Sequence, residues 1–257
     1  MLHFSGEMKQ LLGDLKGKAG AAIEIDNDCF YFNHEEVFPS ASVIKVPILI
    51  EALRQAESAN IDVNESIQIR HRVGGSGVLQ VLSDQVIVTV KDLMTLMITV
   101  SDNTATNMMI DLLGMDAINT TIKNMGMQKT VLQRKMMDFS AIERGLNNLT
   151  SPADIVTCLK VINQGDFLTE KSRKLALEIM HAQQFHDKLS AMIDPEAIFV
   201  AGKTGSLPQV ENDCAIFKWG NKTAYVAVLM DQLEDSYSGR RVISKIGKYL
   251  YDSLTTP

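Results

Sequence analysis

A hydroxyl and an amine stand three residues apart at Ser42 and Lys45, in the run Pro39-Ser40-Ala41-Ser42-Val43-Ile44-Lys45-Val46-Pro47. Ile44, Ile48, Ala52, Leu53 and Ala56 follow at helical spacing, so 42–59 reads as a helix with Ser42 at its entrance and Pro47 in its first turn. On a helix, positions i and i+3 are neighbours, with Cβ atoms about 5–6 Å apart. A lysine so placed can take the serine proton once burial or a nearby cation lowers its pKa. The positive end of the helix dipole would favour the resulting alkoxide. The same two residues also suit a plain helix cap beside a solvated lysine, so the rest of the chain has to decide.

Two further clusters bear on it. Ser101-Asp102-Asn103 follows a helical stretch at 90–100, where such residues ordinarily end one helix and cap the next. Lys203-Thr204-Gly205-Ser206 closes a β-like stretch at 197–203, and its small residues would let a ligand lie against the strand backbone. It is not a phosphate loop, because the upstream glycine and the following helix are missing.

These clusters need elements to carry them. Apolar Met8, Leu11, Leu12 and Leu15 mark a first helix capped by Ser5 and ended by Gly17 and Gly20. Stretches 20–26 and 29–32 flank the turn-forming Asp26-Asn27-Asp28 and read as a hairpin. A short strand at 66–70 and a flexible glycine loop at 73–77 precede a helical middle. There Thr89 caps 90–100, a helix at 104–113 ends at Gly114, and Asp116 opens one ending at Gly126. Ser151-Pro152 starts a helix to 163, and Thr169 one to 181. Strands at 197–203, 213–219 and 223–230 follow, the last two joined by Gly220-Asn221, and Ser238 opens a closing helix. With two strands early and three late, the economical arrangement is α+β. One antiparallel sheet from both chain ends (about 1–45 and 190–257) sits beside a helical region (about 46–189) within one catalytic domain, 1–257.

Bulk properties narrow the function. A net charge of −6 over 257 residues, with no basic stripe carrying aromatics, argues against a nucleic-acid partner. No apolar run is long enough for a membrane span. The N-terminal residues 1–9 lack the basic and apolar regions of a signal peptide, and Cys29, Cys158 and Cys214 fit reduced, buried thiols, so a cytoplasmic location is expected unless a leader has been removed. His181 and His186 stand five apart with no carboxylate at metal-ligand spacing, so neither metal nor cofactor is expected.

Ser-x-x-Lys, Ser-Asp-Asn and Lys-Thr-Gly, in this order and in these contexts, resemble the class A serine β-lactamases and penicillin-binding proteins. The resemblance extends to Gly75-Ser76-Gly77-Val78-Leu79-Gln80, to 91–107, to Thr150-Ser151-Pro152-Ala153-Asp154 and to Ile246-Gly247 in the last helix, and so covers nearly the whole chain. It implies the β-lactamase/transpeptidase-like fold and a β-lactam or related small acyl substrate. It makes Ser42 the nucleophile, Lys45 the amine that helps deprotonate it, and Ser101 the relay to the departing nitrogen. Asn103 would hold Lys45 and the substrate amide, Lys203 would supply positive charge, and Thr204 and Ser206 would bind a substrate carboxylate. Backbone N–H groups of Ser42 and Ser206 would form the oxyanion hole.

Glu143-Arg144-Gly145-Leu146-Asn147 is similar to the family's Glu-x-x-Leu-Asn, which implies Glu143 as deacylating base and Asn147 as its partner. The loop from Asn147 to Thr150 is shorter than the family's, which leaves Glu143 equally readable as a solvated charge. Arg240, near the start of the last helix, matches a carboxylate-binding arginine of some members, or is a surface cation. Beside β-lactam hydrolysis, two alternatives stay open: another ester, amide or peptide as substrate, and a penicillin-binding module that does not release its adduct.

Overall fold

The computed structural model describes residues 2–256. Helix α1 (Ser5–Gly13) leads into strands β1 (Lys18–Ile25) and β2 (Asp28–Phe32). A short strand β3 (Phe38–Pro39) and a 3-10 turn (Ala41–Ile44) deliver the chain to α2 (Lys45–Glu57). Strands β4 (Ser66–Gln68) and β5 (Ile87–Thr89) precede α3 (Val90–Thr99), α4 (Asn103–Leu113) and α5 (Met115–Asn124). Next come α6 (Phe139–Glu143), β6 (Leu149–Thr150), α7 (Pro152–Asn163) and α8 (Glu170–His181). The chain closes with β7 (Phe199–Leu207), β8 (Val210–Trp219), β9 (Lys222–Asp231) and α9 (Ser236–Thr255).

Both chain ends build one antiparallel sheet in the order β2-β1-β9-β8-β7. Period-two alternation gives each central strand two apolar faces. Ala22, Cys214, Ile216, Ala227 and Leu229 face the helical region, while Ala21, Ile23, Phe217, Val228 and Met230 face α1 and α9. Ten of the thirteen residues of α2 are buried, so this helix is an axle of the core and not a surface element. Each of its fully buried isoleucines and leucines contributes about 1.5–3 kcal/mol by leaving water.

Several helix starts follow local chemistry. Thr89 and Asp92 form a reciprocal capping box, Ser151 caps α7 with Pro152 at its first position, and Thr169 caps α8. Elsewhere the elements are displaced from the sequence reading. Phe4 takes the cap position of α1, where Ser5 was expected, and the Ser5 hydroxyl instead donates to the Leu2 carbonyl. Ser42 lies on the 3-10 turn, preceded by Ala41 at φ +45°, and the α-helix begins only at Lys45. Strand β7 runs on through Lys203-Thr204-Gly205-Ser206 to Leu207, because these residues pair in register with Cys214, Asp213, Asn212 and Glu211 of β8. The turn falls at Pro208-Gln209 instead. Cys158 and Cys214 are buried free thiols, but Cys29 is exposed. Among the described residues, no helix is long and apolar enough to cross a membrane.

Candidate active site

Lys45 starts α2 inside the core, with no exposed surface. Its Nζ reaches the Ser101 carbonyl at 2.8 Å, the Ser101 hydroxyl at 3.0 Å and Asn103 Oδ1 at 2.9 Å. Burial, reinforced by the charge of Lys203, drives its pKa well below that of an ordinary lysine, although Asp102 pulls the other way. The geometry accommodates the neutral amine. It can donate its two hydrogens to the two obligate acceptors, the Ser101 carbonyl and Asn103 Oδ1, which leaves its lone pair free to take a proton.

Ser101 sits between α3 and α4 with φ +54°, a left-handed conformation that aims both its carbonyl and its hydroxyl at the same amine. Asp102 is the residue of this triplet that the sequence reading left without a role beyond capping. One carboxylate oxygen caps α4 through the Ala105 N–H at 2.9 Å, and the other accepts the Val78 and Leu79 N–H groups at 2.7 and 2.8 Å. It therefore fixes the glycine loop to the helix carrying Asn103. Gly77, at φ +109°, passes so close that any Cβ would overlap the Asp102 carboxyl group. Asn103 completes the tie, its N–H donating to Ser76 and its side-chain amide to Gly74.

Opposite stands β7. A Cβ at Gly205 would lie 2.9 Å from the Ser42 nitrogen, so only glycine lets the strand backbone come this near the serine. Lys203 is fully buried, donates to the Thr204 carbonyl at 2.7 Å, and has a pKa pushed down to about 7 by burial, with Lys188 as the nearby cation that adds to the effect. Ser42, Ser76, Ser101, Thr204, Gly205 and Ser206 line one cleft of about 400 Å³, with Lys45, Asn103 and Lys203 immediately behind them.

Lys188 and Glu211 were invisible in the sequence. Both are buried and 2.7 Å apart, and the lysine also donates to Ser206 Oγ at 3.0 Å and to the Gly205 and Asn212 carbonyls. Burial works against the Glu211 carboxylate, but Lys188, Ser206 and Arg240 together hold its pKa below the ordinary value. The Ser206 hydroxyl donates its one proton to Glu211 at 2.9 Å, so it has none left for a substrate carboxylate.

Three of the candidates do not themselves line the cleft, although Arg240 is paired with Asp187, which does. Arg240 pairs with Glu211 at 3.0 Å and Asp187 at 3.4 Å. Asn147 accepts the buried Arg134 guanidinium at 3.1 and 3.3 Å. Glu143 ends α6 exposed, making no hydrogen bond or ion pair with any described residue. The reason is local: Asp138 caps α6 through the Ala141 N–H, and Gly145 turns the chain at φ +81°, which leaves Glu143 on the solvent side. Two points of this segment are tied toward the site: the Asn148 carbonyl accepts the Ser40 N–H at 2.8 Å, and the Met136 N–H and carbonyl pair with the Asn107 side chain at 2.7 and 3.1 Å. Asn107 lies one helical turn from Asn103 on α4.

Residues 4–254 match the Beta-lactamase enzyme family. The chain belongs to this family. A β-lactamase of Bacteroides uniformis is 23% identical over 99% of the chain and 92% of the relative. The crystal structure of a β-lactamase from Sphaerobacter thermophilus superposes with a TM-score of 0.91 at 29% identity, covering 98% of each chain. PBP-A, solved among other forms as a mutant in an acyl-enzyme complex with penicillin G, superposes at 0.88 with 26% identity, covering 97% of this chain and 95% of that one. The chain is thus a serine hydrolase with the β-lactamase/transpeptidase-like α+β fold.

Proposed function

We propose that the chain opens a β-lactam amide through an acyl ester on Ser42. The observation that carries this is the buried Lys45 amine, bonded at once to Ser101 and Asn103 and depressed in pKa by burial. Ser42 Oγ attacks the ring carbonyl and its proton passes to the neutral Lys45 amine. The backbone N–H groups of Ser42 and Ser206 receive the oxyanion, each worth about 3–4 kcal/mol in the transition state. When the C–N bond breaks, the proton returns from Lys45 through the Ser101 hydroxyl to the leaving nitrogen. The Thr204 hydroxyl faces the substrate carboxylate while protonated Lys203, buried behind the cleft, supplies positive charge, and Lys188 fixes Ser206 and Gly205 in the strand that carries the second oxyanion donor. Intact-mass spectrometry with penicillin G tests the reading: wild type gains the mass of one penicillin and Ser42→Ala gains none. Equal adduct on both proteins overturns it.

A second reading concerns release of the adduct, and the exposed Glu143 favours it. With Glu143 in solvent and Asn147 engaged by Arg134, no carboxylate of the 134–150 segment lines the cleft, so the acyl-enzyme forms quickly and is hydrolysed slowly. The decay of the adduct in the same mass-spectrometric time course separates the two. Return to free mass within seconds supports efficient hydrolysis, and persistence over many minutes supports slow release.

A further inference from the structure

Beyond Thr204 the outer face of the sheet carries a second cavity of about 340 Å³ that the chemistry at Ser42 does not use. Its floor exists because two facing residues are small: Gly202 of β7 stands opposite Ala215 of β8, and the next pair on the same face is Thr204 and Asp213. Its apolar walls come from the segment after α8, chiefly Leu189, Ile193, Pro195 and Ile198. Leu189 is held rigidly, since its carbonyl packs directly on Gly247 of α9 and its N–H donates to Asp213 Oδ2 at 2.9 Å. Phe185, His186 and Thr204 line both this cavity and the Ser42 cleft, so the two adjoin.

Asp213 is the unusual group. It is 5% exposed, and its two carboxylate oxygens each accept one backbone N–H, from Leu189 and from Cys214. No described cation is in ion-pair contact with it. Lys188, the near candidate, is already committed to Glu211, Ser206 and two carbonyls. Lys203 projects from the opposite face of β7, where Cys214 is its cross-strand neighbour, and bonds the Thr204 carbonyl. Burial raises the Asp213 pKa to about 7, with the more distant charges of Lys188 and Lys203 limiting the rise. The other titratable groups at the cavity are His181, whose Nδ1 bonds the Val200 carbonyl, and His186 at the mouth. Each carboxylate oxygen retains a lone pair, and the Thr204 hydroxyl has no hydrogen-bond partner among the described residues. A buried carboxylate without a counter-ion, at the floor of an apolar cavity, is the setting in which an incoming cation gains most.

We infer that this cavity binds a small primary amine on an apolar body, its ammonium on Asp213 and the Thr204 hydroxyl and its hydrocarbon or aromatic part against Leu189, Ile193 and Ile198. An anion is repelled by Asp213. A neutral alcohol can fill the same space but leaves the carboxylate uncompensated. Because Thr204 is shared with the Ser42 cleft, an amine seated here also restrains that hydroxyl.

Calorimetric titration of the full chain at pH 8 with 2-phenylethylamine, and with 2-phenylethanol as its uncharged counterpart, tests the assignment. The amine is expected to bind at least tenfold tighter than the alcohol. Its affinity should fall about tenfold between pH 8 and pH 6, as Asp213 takes up a proton that the ammonium must displace. Asp213→Asn should erase the preference for the amine while keeping alcohol binding. Ala215→Leu, which fills the floor without touching a polar group, should weaken both ligands at least tenfold and so separate this cavity from the cleft. Equal affinity for amine and alcohol, amine binding unchanged by Ala215→Leu, or no amine binding at millimolar concentration would each overturn it.

Discussion

On the Lys45 side of the cleft, the side chains of Lys45, Ser101, Asp102 and Asn103 are all engaged with other groups in the interior. Lys45 is tied to Ser101 and Asn103, Asp102 to the glycine loop, and Asn103 to Gly74 and Ser76. The 134–150 segment is built the other way. Its buried bonds, from Arg134 to Asn147 and from Met136 to Asn107, hold the backbone, while Glu143 is left in solvent. The contrast matters because the two halves of a serine acyl transfer need different equipment. In the proposed mechanism, forming the ester draws on the desolvated Lys45 amine of one wall. Breaking it needs a second base on a water, and the Glu143 carboxylate of the other wall is exposed. Acylation and release should therefore respond to substitutions in different regions.

The largest effect is expected at Lys45. Lys45→Met keeps the volume and apolar packing of a side chain with no exposed surface but removes the proton acceptor. The rate of adduct formation should fall about 10³-fold or more, a loss of roughly 4 kcal/mol of transition-state stabilisation. Thermal stability should hold or rise, since a buried group that is costly to charge has gone. A stopped-flow nitrocefin burst together with a melting curve reads both. A small kinetic effect would mean that another group takes the Ser42 proton.

Asp102→Ala comes next and attacks the scaffold of the same wall. It leaves the Val78, Leu79 and Ala105 N–H groups without their acceptor. A destabilisation of about 3 kcal/mol follows from orphaned buried donors. Acylation should slow as well, because the loop and Asn103 lose their common anchor. Urea unfolding measures the first and the penicillin adduct rate the second. Asp102→Asn, which keeps one acceptor, should recover part of both.

How much of this wall could be read from the residues depended on the range of the interactions. Ser42, Lys45, Ser101 and Lys203 were legible because they fall in three short motifs, Ser-x-x-Lys, Ser-Asp-Asn and Lys-Thr-Gly, whose residues are neighbours in sequence and whose order resembles the class A pattern. The caps at Thr89, Ser151 and Thr169 were legible for the same reason, since side chain and backbone are neighbours in sequence. What could not be read is what pairing decides. The continuation of β7 to Leu207 is set by β8, the Lys188–Glu211 bond joins residues 23 positions apart, and the second oxygen of Asp102 serves a loop 23–24 residues upstream. Glu143, readable from the sequence either as a base or as a solvated charge, is exposed on a short helix capped by Asp138 and followed by a glycine turn.

Lys203 offers a pH test of the charged side of the cleft. Its folded pKa of about 7 lies below that of a free lysine, so between about pH 7 and 10 the unfolded chain binds the extra proton. Stability linked to this residue therefore rises with pH across that window, and below pH 7 the fold carries the full cost of a buried cation. Function runs the opposite way, because only protonated Lys203 balances a substrate carboxylate. The apparent affinity for penicillin should weaken several-fold from pH 6 to pH 8. Lys203→Met should flatten both dependences, lowering acylation ten- to a hundredfold at pH 6 while raising the melting temperature there. An unchanged pH profile in this variant would assign the titration to another group.

The smallest effect is expected at Glu143, and it is the one that sharpens the contrast between the walls most. The carboxylate is exposed, has no described partner, and stands on a five-residue helix capped by Asp138. Glu143→Gln should therefore change neither the adduct formation rate nor its decay by more than about twofold, within the usual range for a surface substitution. The informative companion is Met137→Glu. Met137 is partly exposed and its sulfur lies against Gly75 beside the side-chain amide of Asn103, the asparagine that holds Lys45. A carboxylate introduced there stands next to the Lys45 wall, so decay of the penicillin adduct should accelerate at least tenfold while its formation slows little. If Glu143→Gln instead lengthens the lifetime of the adduct by tenfold or more, the 134–150 segment must swing Glu143 inward once Ser42 is acylated. In that case the exposed position belongs to the ligand-free enzyme alone.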